Sequence, residues 1–157
     1  MKKFELTAES KINIFGKKLF RIKALISFGD VEEGETGGWI EKEENLEQSS
    51  GNAWVYGDAE VYGNARVSGN ARVSGNAEVY GNADYTTIHG FGTQFRTTTF
   101  FQCEDKQIRV SCGCFLGTIP EFREQVKNTR EGKIAEEYLM IADLMEKHFV
   151  KEKESGE

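Results

Sequence analysis

The chain has 157 residues, of which 29% are charged and 38% hydrophobic, with 17 Gly, one Pro and a formal net charge of −6. No apolar run reaches the roughly 20 residues of a membrane helix, no apolar leader follows Lys2-Lys3, and the glycines lack the three-residue period of collagen. A cytoplasmic globular protein with no membrane partner is therefore expected. Residues 85–118 carry three basic and two acidic groups in an otherwise acidic chain. No basic stripe is present for duplex nucleic acid. Three cysteines in a chain with no export signal predict free thiols.

In chain order, Ile12-Asn13-Ile14 and Lys18-Leu19-Phe20 flank Phe15-Gly16-Lys17 and predict a hairpin or a first coil. Leu19, Leu25 and Val31 are six apart, as are Ile40 and Leu46, which suggests degenerate hexads from about Phe20 onward. From Gly51 the period is regular: GNAWVY, GDAEVY, GNARVS, GNARVS, GNAEVY, GNADYT. Ala and Val two apart face the same side of a strand, and Gly-Asn supplies the corner. A repeat this short predicts a parallel β-helix, and its resemblance to the hexapeptide-repeat family, in which three hexads make one turn, implies that residues 18 apart stack. One face would then carry Trp54, Tyr56, Arg72 and Ser74. The next would carry Glu60, Tyr62, Glu78 and Tyr80, and the third Arg66, Ser68, Asp84 and Thr86.

The period stops after Tyr85. Residues 92–101 read as a strand, 104–106 as a turn and 107–112 as a second strand. Thr118-Ile119-Pro120-Glu121 is a capping box that opens a short helix to about Lys127. A longer helix is predicted from Arg130 to Phe149, with Ile134, Tyr138, Ile141, Ala142, Met145 and Phe149 as its core stripe. The expected organisation is a repeat unit over 1–86, with regular coils at 51–86, an α+β module over 87–150 and a disordered tail over 151–157.

The hexads resemble the hexapeptide-repeat family. That resemblance implies a mainly β fold, a left-handed parallel β-helix followed by a C-terminal β-hairpin and two helices, and a homotrimer. Stacked Glu60 and Glu78 call for partners, which Arg66 and Arg72 of neighbouring subunits could provide. The expected oligomer interface is Glu60, Tyr62, Glu78, Tyr80, Arg66, Arg72 and Trp54. The whole arrangement also resembles a group of phage and prophage proteins. It does so through residues 20–25 (FRIKAL), 28–31 (FGDV), 37–41 (GGWIE), the GNA-x-V run, 108–115 (IRVSCGCF) and the 118–137 helical module. The group's histidine after the first helix is replaced here by Thr129-Arg130.

No GxGxxG, P-loop or GxSxG motif is present, and no cofactor is expected. The histidine-ligated metal site of some hexapeptide enzymes needs three histidines, and the chain has two, His89 and His148. His148 suits a helix C-terminus. His89 is the candidate general base. Cys103, Cys112 and Cys114 suggest zinc by spacing, but free cysteine packs as a small apolar residue. The expected function is non-catalytic: a phage-type binding protein that sequesters or inhibits a host protein or a small nucleotide-like ligand in the host cytoplasm, as a counter to defence. Arg96, Lys106 and Arg109 would meet phosphates, and Phe91 and Phe95 would stack on a base. The alternatives are an acyltransferase of the hexapeptide class and a structural assembly module.

Overall fold

The computed structural model describes residues 2–49, 51–81, 84–94, 96–113 and 115–150, with the backbone alone at Arg96. Phe95, Cys114, the repeat positions Asn82 and Ala83, and the expected disordered tail 151–157 lie outside the described residues. Eleven strands are described: β1 Phe4–Ile12, β2 Lys18–Ala24, β3 Thr36–Ile40, β4 Trp54–Val55, β5 Glu60–Val61, β6 Arg72–Val73, β7 Glu78–Val79, β8 Tyr85–Phe91, β9 Arg96–Gln102, β10 Ile108–Cys112 and β11 Phe115–Thr118. A 3-10 turn covers Glu43–Asn45, and two helices follow the last strand, α1 Ile119–Thr129 and α2 Gly132–His148.

The expected β-helix is corrected by the sheet topology. The strands fall into three separate sheets, β1-β2-β3-β5-β7, β11-β10-β9-β8 and β4-β6, so the chain is a mixed α/β fold and not a parallel β-helix. Parallel pairing at an 18-residue offset does occur, as Trp54↔Arg72, Val55↔Val73, Glu60↔Glu78 and Val61↔Val79. It is confined to strands of two residues, because a positive-φ glycine turns the chain at the first five hexads, with φ of 61° at Gly57, 66° at Gly63 and 66° at Gly69. Longer strands form only in the flanks, and with one another they pair antiparallel.

The predicted first hairpin is present, with Ile12 opposite Lys18. Its turn is set by Asn13, whose Oδ1 accepts from the backbone N–H of Phe15 at 2.9 Å and of Lys17 at 3.0 Å. Reversal at this turn is the local reason why β2 does not become a hexad coil. β2 pairs antiparallel with β3, and β3 then pairs parallel with β5, so one sheet mixes both senses. Buried Asn45 ties the preceding loop to the hexads: its Nδ2 donates to the Ala65 carbonyl at 2.8 Å, and its Oδ1 accepts from the Lys42 N–H at 3.0 Å.

The four-stranded sheet serves two cores, and the alternation of β9 explains how. Phe101 faces the hexads and joins Phe4, Ile22, Trp54 and the stacked Ala and Val side chains. Its neighbour Phe100 faces the helices and joins Val110, Phe122, Tyr138 and Met145. Phe101 and Cys103, within the expected 87–150 module, thus contribute to the core of the repeat. The Thr118 cap is as predicted: its hydroxyl accepts from Glu121 N–H, and the Glu121 carboxylate accepts from Thr118 N–H. Ile134, Tyr138, Ile141, Ala142, Met145 and Phe149 pack in the second core. Among the described residues no helix is long and apolar enough to cross a membrane.

Two corners separate backbone strain from steric fit. Gly57 has φ +61° and open space around a Cβ, whereas at Gly63, φ +66°, a Cβ would lie 2.6 Å from the Tyr80 carbonyl oxygen. Gly57→Ala is expected to lose about 1–2 kcal/mol, the penalty of a left-handed alanine. Gly63→Ala should lose clearly more, because the clashing atom is backbone. Urea unfolding of the two variants checks the difference.

Candidate functional site

A cleft of about 450 Å³ opens where the hexads meet the four-stranded sheet, and Asp30, Tyr56, Arg72, His89 and Thr97 are among its lining residues. Asp30 lies on the loop between β2 and β3, Arg72 on β6, His89 on β8 and Thr97 on β9. Tyr56 is fixed by its backbone N–H, which donates to the Val73 carbonyl at 2.8 Å. Arg72 is fixed by its own N–H, which donates to Thr99 Oγ1 at 3.1 Å.

The side chains of this cleft form a connected group. The Arg72 guanidinium pairs with Asp30 at 2.9 Å and lies over the Tyr56 ring, 5.2 Å from its centroid. The Tyr56 hydroxyl donates to Asp30 Oδ1 at 2.9 Å. Burial holds the Tyr56 phenol protonated well above its usual range, with the Arg72 charge opposing. Asn52 and Asn70 are 18 residues apart, and the Asn70 side-chain oxygen accepts from the Asn52 N–H at 3.2 Å. His89 Nδ1 and Thr97 Oγ1 are 2.9 Å apart. The cleft therefore offers a guanidinium, a phenol, an imidazole and several amides, with the Arg72 charge already matched by Asp30. A guanidinium has five N–H donors in a fixed fork, so one carboxylate leaves capacity for a second acceptor.

The candidates taken from sequence are dispersed. His89 stands in the cleft, oriented by a hydroxyl. Arg109 does not reach it: its Nη2 donates to Asp105 Oδ2 at 2.8 Å on the β9–β10 turn. Lys106, on the same turn at φ 67°, points its ammonium at Glu78 Oε1, 3.6 Å away. Phe91 packs against the second core. Phe95 and the Arg96 side chain are outside the described residues. Cys103 is buried in the first core, where burial pushes its thiol up to about 12. Cys112 packs at the second core and accepts from Thr98 Oγ1 at 3.2 Å. These two cysteines serve different cores, and Cys114 lies outside the described residues.

The expected interface set is corrected at Trp54. Its side chain is wholly buried between Phe4 and Phe28, edge-on to both rings, and offers a partner no surface. Tyr62 and Tyr80 stack with centroids 5.7 Å apart, but Tyr62 is buried within its own chain. Glu60 and Glu78 are directly opposite on β5 and β7, and both are buried. Their cations come from the same chain. Lys11 of the hairpin pairs with Glu60 at 3.0 Å, and Lys106 faces Glu78. Arg72 is engaged by Asp30, and Arg66 also lines a shallow hollow with Tyr85, whose hydroxyl donates to the Arg66 carbonyl at 2.5 Å.

Sequence reasoning missed Asp30, Asn52, Asn70 and Thr97. The 18-residue stacking already put Tyr56 and Arg72 on one face, which was the available signal. Asp30 reaches them from an irregular loop, and no spacing rule marks it. No family model matches the chain, and no curated protein matches it.

Burial raises the pKa of Glu78, Lys106 opposes the shift, and the Glu60 charge adds to it. A carboxyl that ionises later in the folded chain lowers stability as pH rises from the ordinary carboxylate range through the folded value. Glu78→Gln removes that loss. It is expected to melt above the parent near neutral pH. Below the ordinary carboxylate range the gain should vanish. Thermal melts across pH check the sign.

Proposed function

We propose that the protein is a non-catalytic binding protein, of the phage or prophage type its sequence resembles, that sequesters a small nucleotide-like ligand of the host in the cleft around Arg72. The observation that supports this most is the Arg72 guanidinium, held by Asp30 and the Tyr56 ring at the edge of a cleft of about 450 Å³. Volumes of roughly 300–1,000 Å³ are usual for small-molecule sites. The chain's own contacts already hold the group, so little ordering is left for the ligand to impose. An unfilled fork on Arg72 suits a phosphate oxygen. Asn52, Asn70 and Gln94 carry paired donors and acceptors of the kind that read a base edge. His89 and Tyr56 add rings beside them.

This reading moves the phosphate contact from Arg109 and Lys106 to Arg72, since the former two face carboxylates elsewhere. It also needs only one chain. The expected homotrimer is a separate proposal, open to the same experiment.

Native mass spectrometry with a panel of cyclic and ADP-ribose-type nucleotides tests it. At least one member should bind in whole-number stoichiometry per chain, and Arg72→Ala should weaken it at least tenfold. The Arg72–Asp30 pair is partly exposed on both sides. Such pairs contribute about 0–1 kcal/mol, so the variant stays folded. No binding across the panel, or unchanged affinity in Arg72→Ala, overturns the reading. The same spectra count the chains.

A further inference from the structure

A second cavity, of about 520 Å³, lies beneath the tip of the first hairpin and shares no lining residue with the cleft around Arg72. Three carboxylates line it, Glu60, Glu78 and Glu104, against two ammonium groups, Lys11 and Lys106. Its rim is hydrocarbon. Ile12, Ile14 and Phe15 are 71%, 88% and 56% exposed, a cluster of large apolar side chains at one turn. Isolated exposed apolar residues are ordinary, but a cluster beside a cavity marks a place where something docks.

The two carboxylates on the ladder are not equally satisfied. Glu60 receives Lys11 at 3.0 Å and Asn13 Nδ2 at 3.4 Å. Glu78 is 4% exposed, and its Oε1 is buried without a hydrogen-bond partner. Lys106 approaches that oxygen only to 3.6 Å, beyond hydrogen-bond reach, and its side chain is 63% exposed. The same ammonium sits 6.0 Å from the centre of the Phe15 ring, at the outer limit of a cation–π contact. Lys106 is also the one non-glycine residue with positive φ among those described. A loosely held, mostly solvated alkylammonium therefore stands over a buried carboxylate oxygen that lacks a donor, between hydrocarbon walls.

We propose that this cavity is a binding site for a small organic ammonium with an apolar body, whose cation replaces the Lys106 ammonium at Glu78 and whose hydrocarbon lies against Phe15 and Ile14. The chemistry follows from the lining. A donor-bearing cation supplies the hydrogen bond that Glu78 Oε1 lacks and matches the carboxylate charge, and a charge-assisted hydrogen bond is the stronger kind. The rim adds apolar area that a bare metal ion would not use. Lys106 is then an internal competitor, with the same chemical group as the ligand, and it withdraws to solvent when the site fills.

Titration calorimetry at low ionic strength tests this with n-hexylamine as the probe and n-hexanol as its uncharged counterpart. One saturable site is expected for the amine and none for the alcohol. Glu78→Gln should weaken the amine at least tenfold. The melting curve of that variant shows separately that it is folded. Lys106→Asn removes the competing charge and suits the left-handed backbone, so it should tighten binding about threefold or more. Equal affinity in Glu78→Gln would mean general attraction to an acidic protein and overturns the site. So would equal binding of the alcohol, or weaker binding in Lys106→Asn. Arg72→Ala should leave amine binding unchanged, so this test and that of the Arg72 cleft fail independently.

Discussion

Two buried glutamates on adjacent rungs of one parallel ladder are the constraint to which much of the rest of the molecule answers. The 18-residue register places Glu60 directly beside Glu78, roughly 4.8 Å away across the ladder. Like charges at that spacing are unfavourable, and burial makes them more so. The fold answers from two directions. The hairpin of β1 and β2 brings Lys11 to Glu60, and the turn between β9 and β10 brings Lys106 toward Glu78. The first answer is close, and the second is loose. Burial raises the pKa of Glu78 against the opposing Lys106 charge, and the loose approach of Lys106 leaves one acceptor unfilled beneath the hairpin tip.

The same hexads supply the opposite face, where Tyr56 and Arg72 meet Asp30. There the balance is complete: one carboxylate, one guanidinium and a phenol that stays protonated. A neutral, connected group of donors and acceptors suits recognition of a polar ligand better than it suits proton transfer. His89 Nδ1 lies 2.9 Å from the Thr97 hydroxyl, and among the described residues no carboxylate is hydrogen-bonded to it. The β-sheet that carries His89 and Thr97 is also the one that seals the repeat core through Phe101, so the two halves of the cleft are held in register by packing.

The local features were legible in the sequence, and the architecture was not. Val55 over Val73 and Val61 over Val79 follow from the hexad because glycine corners and same-side spacing are local rules. The Thr118 capping box and the α2 stripe are local in the same sense. The fold class does not follow from the repeat, because six hexads suggest an extended parallel array, whereas they yield only two-residue strands. The longer antiparallel strands of the flanks set the sheets. Degenerate spacing from Leu19 to Val31 looked like further coils, but Asn13 reverses the chain and β2 pairs antiparallel on both sides. Charge alone showed that Glu60 and Glu78 needed cations. It did not show that Lys11 and Lys106, far away in sequence, would supply them, nor that Trp54 would be enclosed by Phe4 and Phe28.

Both glutamates are enclosed by their own chain, with Glu78 the less satisfied. NMR titration of the side-chain carboxyl carbons measures this directly in the unmodified protein. Glu78 is expected to titrate above the ordinary carboxylate range. If Glu78 titrates with the exposed glutamates, the ladder is open to water and the account is wrong.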